Sequence, residues 1–297
     1  MATLQELRTV RDLLRLAVSR FSAAKLSFGH GTDNAYDEAV YLILHTLNLP
    51  LDTLDPFLDA RLLDDEIAAV LAVLDRRVNE RVPAAYITRE AYMHGMRFYV
   101  DERVIVPRSF LGELLHDGLD PWLGGSTPLC TVLDLCTGSG CLPILAAHAW
   151  PQVHVDAVDI SPDALEVARR NVDDYGMQNR ITLHEGDLYA PLPAGAAYDL
   201  ILSNPPYVNE GSMQALPPEY QAEPRIALAG GDDGMDVVRR IVAGAKARLN
   251  PGGVLVVEIG NERPYVEAAF PDLALVWLPV TAGDDQVFLL TYEALPG

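Results

Sequence analysis

The chain has 297 residues, enough for one large domain or two ordinary ones. Hydrophobic residues make up 49% and charged residues 22%, which supplies a sizeable core and excludes global disorder. Asp and Glu number 42 against 22 Lys and Arg, a formal charge of −20 that excludes a uniformly basic nucleic-acid-binding surface and suits a basic partner.

The N-terminal stretch carries charges throughout and lacks the apolar core of a signal peptide. No run of about 18 apolar residues follows, so the chain is expected to be soluble and cytoplasmic, with no membrane association. Leu4, Leu7, Val10, Leu14, Ala17 and Phe21 recur at helical spacing. Segment 35–47 repeats the pattern with Ala39, Leu42, Ile43 and Leu47, and segment 64–80 does so behind Asp64 as an expected N-cap. Pro50, Pro56 and Pro83 punctuate them. Residues 1–85 therefore read as a small helical bundle without a catalytic cluster, expected to serve substrate recognition. In 86–107 Tyr, Phe, Val and Ile become dense around His94-Gly95, which predicts a β-hairpin linker.

From about residue 128 strands and helices alternate. Strands are expected at 132–135, 154–159, 181–184, 199–203 and 253–259, with a helix in the apolar run from Cys141 to Trp150 and another at 236–249. The helix after 154–159 is well marked, with Ser161 as N-cap, Pro162 at its first position and Gly176 past its end. Runs 273–278 and 286–292 read as a terminal hairpin. This predicts an α/β fold for 108–297: a Rossmann-like, mostly parallel sheet with an antiparallel C-terminal hairpin. Cys130, Cys136 and Cys141 form neither a disulfide framework nor a metal spacing and are expected to be small buried residues. The seven His are scattered, and no Ser/His/Asp or metal cluster is evident.

Open α/β sheets bind ligands at the carboxyl ends of their strands. The first such end carries Asp134, Leu135, Cys136, Thr137, Gly138, Ser139 and Gly140. Its glycines allow close backbone approach, and a helix N-terminus follows. The second strand ends in Asp159, a carboxylate able to accept both hydroxyls of a ribose. After the third strand, Asp187 can accept from the exocyclic amine of adenine and Leu188 can pack on the ring. These positions read as a nucleoside site and admit a dinucleotide or S-adenosyl-L-methionine.

The fourth strand end carries Ser203, Asn204, Pro205, Pro206 and Tyr207. Two prolines remove two backbone donors and hold the chain extended, which frees carbonyls to accept. Asn204 adds a side-chain acceptor and Tyr207 an aromatic face. Such a site suits a planar –NH2 group held through both hydrogens, and favours the methyl donor over the dinucleotide.

In this order, the 134–140 loop, the Asp159 strand end, Gly186-Asp187 and Asn204-Pro205-Pro206-Tyr207 resemble S-adenosylmethionine-dependent amino-group methyltransferases. With the helical N-terminus, the hairpin and Glu223-Pro224-Arg225-Ile226-Ala227-Leu228, the whole chain resembles the HemK-like protein glutamine methyltransferases. Phe28-Gly29-His30-Gly31-Thr32-Asp33-Asn34, and Val106-Pro107-Arg108-Ser109 with Phe110 onward, are most similar to the branch acting on large-subunit ribosomal protein L-three. The acidic run typical of the release-factor branch is absent. Cys136 stands where the family usually has its first glycine, and Arg89 where a glycine is common.

The resemblance implies S-adenosyl-L-methionine as cofactor, no metal, and a glutamine side-chain amide of a basic ribosomal protein as acceptor. The alternatives are a release factor or a nucleic-acid base amine. The charge of −20 and the lack of a basic recognition domain disfavour stable nucleic-acid binding. Oligomeric state is not legible.

Overall fold

The computed structural model describes residues 7–117, 119, 122–123 and 129–296. The chain divides into two compact units: Met1–Ala91 with Pro217–Ala222, and Tyr92–Leu216 with Glu223–Gly297.

The first unit is helical. α1 (Val10–Ala23) starts where Thr9 and Asp12 close a capping box. Thr9 Oγ1 accepts from Asp12 N at 3.2 Å, and the Asp12 carboxylate accepts from Thr9 N at 2.9 Å. The apolar pattern predicts an earlier start; Leu7 precedes the helix, and Leu4 lies outside the described residues. α2 (Ala35–Thr46) is capped by Asn34, whose side chain accepts from Tyr36 N and Asp37 N. α3 (Asp64–Asn79) corrects the expected cap: Asp64 is its first helical residue and Leu63 the N-cap. The Glu66 carboxylate takes the Leu63 N–H at 2.8 Å instead. α4 (Ala84–Thr88) is a short helix the sequence did not signal, closed by Arg89 at φ +62°. Leu13, Phe21, Leu42, Ile43 and Leu74 form the core of this bundle. Full burial of such side chains contributes about 1.5–3 kcal/mol each.

The second unit begins within a two-stranded sheet of β1 (Glu90–Met93) and β2 (Met96–Tyr99). His94 and Gly95 turn it with φ of +49° and +76°, the two left-handed residues of a type I′ hairpin. α5 (Leu111–Asp117) was not foreseen. The main sheet has seven strands: β3 (Thr131–Leu135), β4 (His154–Asp159), β5 (Ile181–Glu185), β6 (Tyr198–Ser203), β7 (Leu249–Glu258), β8 (Val276–Val280) and β9 (Gly283–Thr291), in the order β5-β4-β3-β6-β7-β9-β8. β3, β4, β5, β6 and β7 pair in parallel. β9 runs antiparallel to β7 and to β8, as a terminal hairpin requires.

The connecting helices are α6 (Cys141–Ala149), α7 (Pro162–Asp174), α8 (Glu210–Ala215), α9 (Asp236–Ala245) and α10 (Arg263–Ala269). α9 ends before 249 because a 3-10 turn, Lys246–Arg248, intervenes and Leu249 already opens β7. Strand alternation divides the core. Val132, Leu200 and Leu202 pack on one face with α5 and α6, while Leu133, Leu135 and Ile201 pack on the other with α9. Cys141 is buried and Cys136 half-buried, but Cys130 is exposed, which corrects its expected burial; all three are free thiols. No helix among the described residues is long and apolar enough to cross a membrane.

Candidate functional site

β3 lies between β4 and β6, so the ends of β3, β4, β5 and β6 open side by side where the strand order reverses. The loop after β3 turns through left-handed residues: Cys136 at φ +62°, Gly138 at +55° and Gly140 at +77°. A Cβ on Gly140 would come within 3.1 Å of the Ala168 Cβ, so this glycine lets the loop pack on α7. A Cβ on Gly138 would meet nothing within 4 Å, because Gly138 faces a cavity. Asp159 holds the loop: its carboxylate accepts from Gly138 N at 2.8 Å and from Ser161 N at 2.9 Å. Burial raises its pKa, and these backbone donors oppose that shift. Asn171, buried in α7, donates to the Ser139 carbonyl at 2.8 Å and exchanges hydrogen bonds with the Tyr99 backbone. Nothing in the sequence pattern marks Asn171 for that duty.

The cavity encloses about 240 Å³. Of the residues singled out in the sequence, Cys136, Gly138, Asp159, Asp187, Leu188, Asn204 and Pro206 line it. A smaller cavity of about 30 Å³ is lined by Thr137, Ser139, Ser109 and Arg108, with Cys136, Gly138 and Asn204 shared between the two. Asp134, Gly140, Pro205 and Tyr207 line neither. Arg103, Ile160 and Arg240 line the larger cavity and were not foreseen, and Ile226 of the 223–228 segment lines it as well. Ile160 and Ile226 are exposed apolar side chains, which is the signal that exposes them once the structure is known. Asp187 accepts from Arg240 at 2.6 Å, with side chains 47% and 56% exposed, so water weakens this pair.

Asp134 is fully buried beneath the loop, and the Thr137 hydroxyl beside it is its one nearby donor among the described residues, too poorly aligned to make a full hydrogen bond. Burial pushes the Asp134 carboxyl up to about 7. Orphaned acceptors of this kind, beside a cavity that a glycine leaves open and a ribose-type carboxylate flanks, fit a nucleoside bearing an ammonium group. S-adenosyl-L-methionine is such a molecule. Burial likewise pushes the Cys136 thiol well above its ordinary range, which keeps it protonated and unreactive.

The 204–207 turn is held from elsewhere. Ser203 Oγ donates to the Leu135 carbonyl at 2.8 Å, which ties β6 to β3. Val208 N donates to the Leu228 carbonyl, and Gly230 N to the Val208 carbonyl, each at 2.9 Å. Cβ atoms at Gly230, Gly234 and Gly260 would come within 2.8 Å of the Pro206 carbonyl, 2.2 Å of the Tyr207 carbonyl and 2.8 Å of the Tyr207 ring. Three glycines thus make room for this turn, and none was singled out in the sequence. Glu223 accepts from both terminal nitrogens of Arg108, at 2.6 and 2.7 Å, and from Val106 N at 2.9 Å. The family-marking segment at 223–228 and the branch-marking segment at 106–109 are therefore bonded to each other. Ser109 donates to buried Glu258 at 2.5 Å, and burial pushes the Glu258 carboxyl up to about 7. Among the described residues no cluster of three His, Cys, Asp or Glu could hold a metal ion.

The sheet, its glycine loop and its strand-end acidic residues define an S-adenosylmethionine-dependent methyltransferase, and the family model for the methyltransferase small domain matches residues 126–216. The ribosomal protein uL3 glutamine methyltransferase of Burkholderia pseudomallei is 66% identical over 295 residues, covering 97% of this chain and 96% of that protein. Those of Bordetella pertussis and Neisseria gonorrhoeae are 62% and 58% identical, covering 98% and 99% of this chain and 97% of each relative. The chain belongs to the family of ribosomal protein uL3 glutamine methyltransferases.

Proposed function

We propose that this chain transfers a methyl group from S-adenosyl-L-methionine to the side-chain amide nitrogen of a glutamine in ribosomal protein uL3. The observation that carries the reading is the position of Asn204, which lines both the large cavity and the small one. A group entering at Asn204 meets the methyl donor's cavity.

When bound, S-adenosyl-L-methionine supplies an electrophilic methyl group on a sulfonium. The Asp159 carboxylate serves the ribose, Asp187 and Leu188 the base, and Asp134 with the backbone of Cys136, Thr137, Gly138, Ser139 and Gly140 the amino-acid end. An amide nitrogen is a poor nucleophile because its lone pair is delocalised. The Asn204 side-chain oxygen and the Pro205 carbonyl accept its two hydrogens, which orients the nitrogen. Pro206 keeps the turn extended and without a competing donor. Tyr207 buttresses the turn against Gly260. Catalysis is then mainly proximity and orientation, with a ceiling of about 7–11 kcal/mol. The proton leaves after transfer, so no strong base is required beforehand.

Residues 1–85 are assigned to substrate recognition, 86–107 to a hairpin linker and 108–297 to catalysis. A formal charge of −20 favours encounter with a basic ribosomal protein, in the cytoplasm where such proteins are made. The test is incubation of purified chain, S-adenosyl-L-methionine and uL3, followed by peptide mass spectrometry. One glutamine-containing peptide gains the mass of a methylene; an unmodified uL3 overturns the reading.

A further inference from the structure

Two consecutive arginines on α9 are used differently. Arg239 pairs within its own segment, with Asp233 and, at 3.7 Å, with Asp236. Arg240 shares a face with Val237, three residues earlier, and both line the large cavity. There Arg240 donates to Asp187 Oδ2 at 2.6 Å, across 53 positions of sequence. The adjoining face of α9, with Val238, Ile241, Val242 and Ala245, is buried.

Packing sets this reach. Tyr189, two residues beyond Asp187, donates to the Ile241 carbonyl at 2.7 Å. Its ring lies 2.5 Å from where a Cβ on Gly244 would stand, so a side chain there would displace α9 or the turn that carries Asp187. The backbone of that turn is equally fixed: Gly186 N donates to the Asp159 carbonyl at 2.9 Å and Ala190 N to the Asp187 carbonyl at 3.0 Å. All these residues lie in the second unit.

Asp159 and Asp187, the two carboxylates that line the cavity, are held by different means. Both Asp159 oxygens accept from backbone, Gly138 N and Ser161 N, so the backbone orients the carboxylate. The Asp187 carboxylate is half exposed, and among the described residues Arg240 alone bonds it. The backbone places Asp187, and the guanidinium selects its rotamer. With Oδ2 taken, Oδ1 remains to accept from a group in the cavity.

We propose that Arg240 is a positioning residue for base selection in the cofactor: it fixes Asp187 so that one carboxylate oxygen meets the 6-amino group of adenine and rejects a 6-oxo base. This inference rests on the assignment of Asp187 to the adenine. An amino group donates to the waiting oxygen. A carbonyl at the same place sets two acceptors against each other and leaves both unpaired, the mismatch that a hydrogen-bonding site rejects most strongly. Water screens the Arg240–Asp187 pair, and a base that fills the cavity excludes that water and strengthens the pair.

Calorimetry with S-adenosyl-L-homocysteine and its deaminated counterpart, S-inosyl-L-homocysteine, measures the preference without turnover. Wild type is expected to favour the adenosyl compound by about tenfold or more. In Arg240→Met, adenosyl affinity should fall about fivefold and inosyl affinity stay within about twofold, while the melting temperature holds, since a half-exposed pair contributes little to folding. Arg240→Gln carries the test if the methionine variant does not fold. Asp187→Ala should lose the preference, and adding Arg240→Met to it should change adenosyl affinity no further, because Arg240 acts through Asp187. A full preference retained in Arg240→Met overturns the proposal, as does an additive loss in the double variant, which would mean that Arg240 meets the base directly. Wild type that binds both compounds alike overturns the assignment of Asp187 and this inference with it, and wild type that binds neither overturns the cofactor reading itself.

Discussion

The loop after β3 and the turn after β6 emerge from neighbouring strands, yet they are held in opposite ways. The first shapes itself: its glycines supply the left-handed turns, and its main external tie is Asp159, on the next strand. The second is a passive segment clasped by Leu228, Gly230, Gly234 and Gly260. A loop of the first kind takes its shape from its own residues. A turn of the second kind depends on the registration of remote backbone.

Asn204→Ala tests the reacting turn most sharply. Methyl transfer to uL3 should fall about 100- to 1000-fold, the scale seen when one positioned polar group is removed from a reacting centre. Retained thermal stability, read by calorimetry, would localise the loss to chemistry, and near wild-type turnover would break the amide clamp.

Paired glycine substitutions separate the two modes of support. Gly234→Ala drives a Cβ to 2.2 Å from the Tyr207 carbonyl at φ +80°. The turn must shift, and kcat/KM should fall about 100-fold, as for a displacement of about 1 Å. Gly138→Ala meets open space. At φ +55° it should cost folding about 1–2 kcal/mol of backbone strain, without a steric clash, and weaken cofactor binding, because the space it fills is the cavity. Equal thermal shifts in both variants would erase the distinction.

Asp159→Ala removes the loop's tie and the proposed ribose acceptor together. At about 1.5–3 kcal/mol per charge-assisted bond, cofactor affinity should weaken about 10- to 150-fold by calorimetry. Unchanged affinity would refute the assignment.

Glu258 probes the buttress behind Ser109 through pH. Its folded pKa, pushed up to about 7, lies above the value of about 4.3 for an ordinary glutamate. The unfolded chain therefore releases this proton first. The stability it contributes is complete below about pH 4 and is lost as pH rises through about 7. Glu258→Gln cannot titrate, so its stability relative to wild type should improve by on the order of 2 kcal/mol between about pH 4.5 and about pH 8 in urea titrations. A pH-independent difference would count against the buried acid.

The smallest effect is expected at Cys136→Gly. A side chain at φ +62° costs about 1–2 kcal/mol, and glycine returns part of that as backbone entropy in the unfolded chain. A gain below about 1 kcal/mol with unaltered transfer would show that the loop's shape does not depend on the residue at this position.

Both places where this chain departs from the family's glycines, Cys136 and Arg89, have φ of +62°. The departures were visible in the sequence; that each carries backbone strain was not. Strand ends, the glycine loop, Asp159 and the helix behind Ser161 were legible because each is a local signal, set by two-residue or 3.6-residue periodicity and by capping. Asp64 misled as an N-cap because the Glu66 carboxylate reached back to Leu63 N, a choice between neighbouring carboxylates that pattern alone does not make.

The sequence by itself determined the fold class and marked the loop after β3, Asp159 and the 204–207 turn as candidates, since each signal depends on residues close together in the chain. Only tertiary structure decided that Glu223 grips Arg108, that glycines beyond residue 229 make room for Tyr207, and that Glu219 returns to the loop of residues 27–32. Those contacts join residues from 27 to 192 positions apart, and at such separations a charge or a glycine carries no mark of its partner until the backbone has brought the two together.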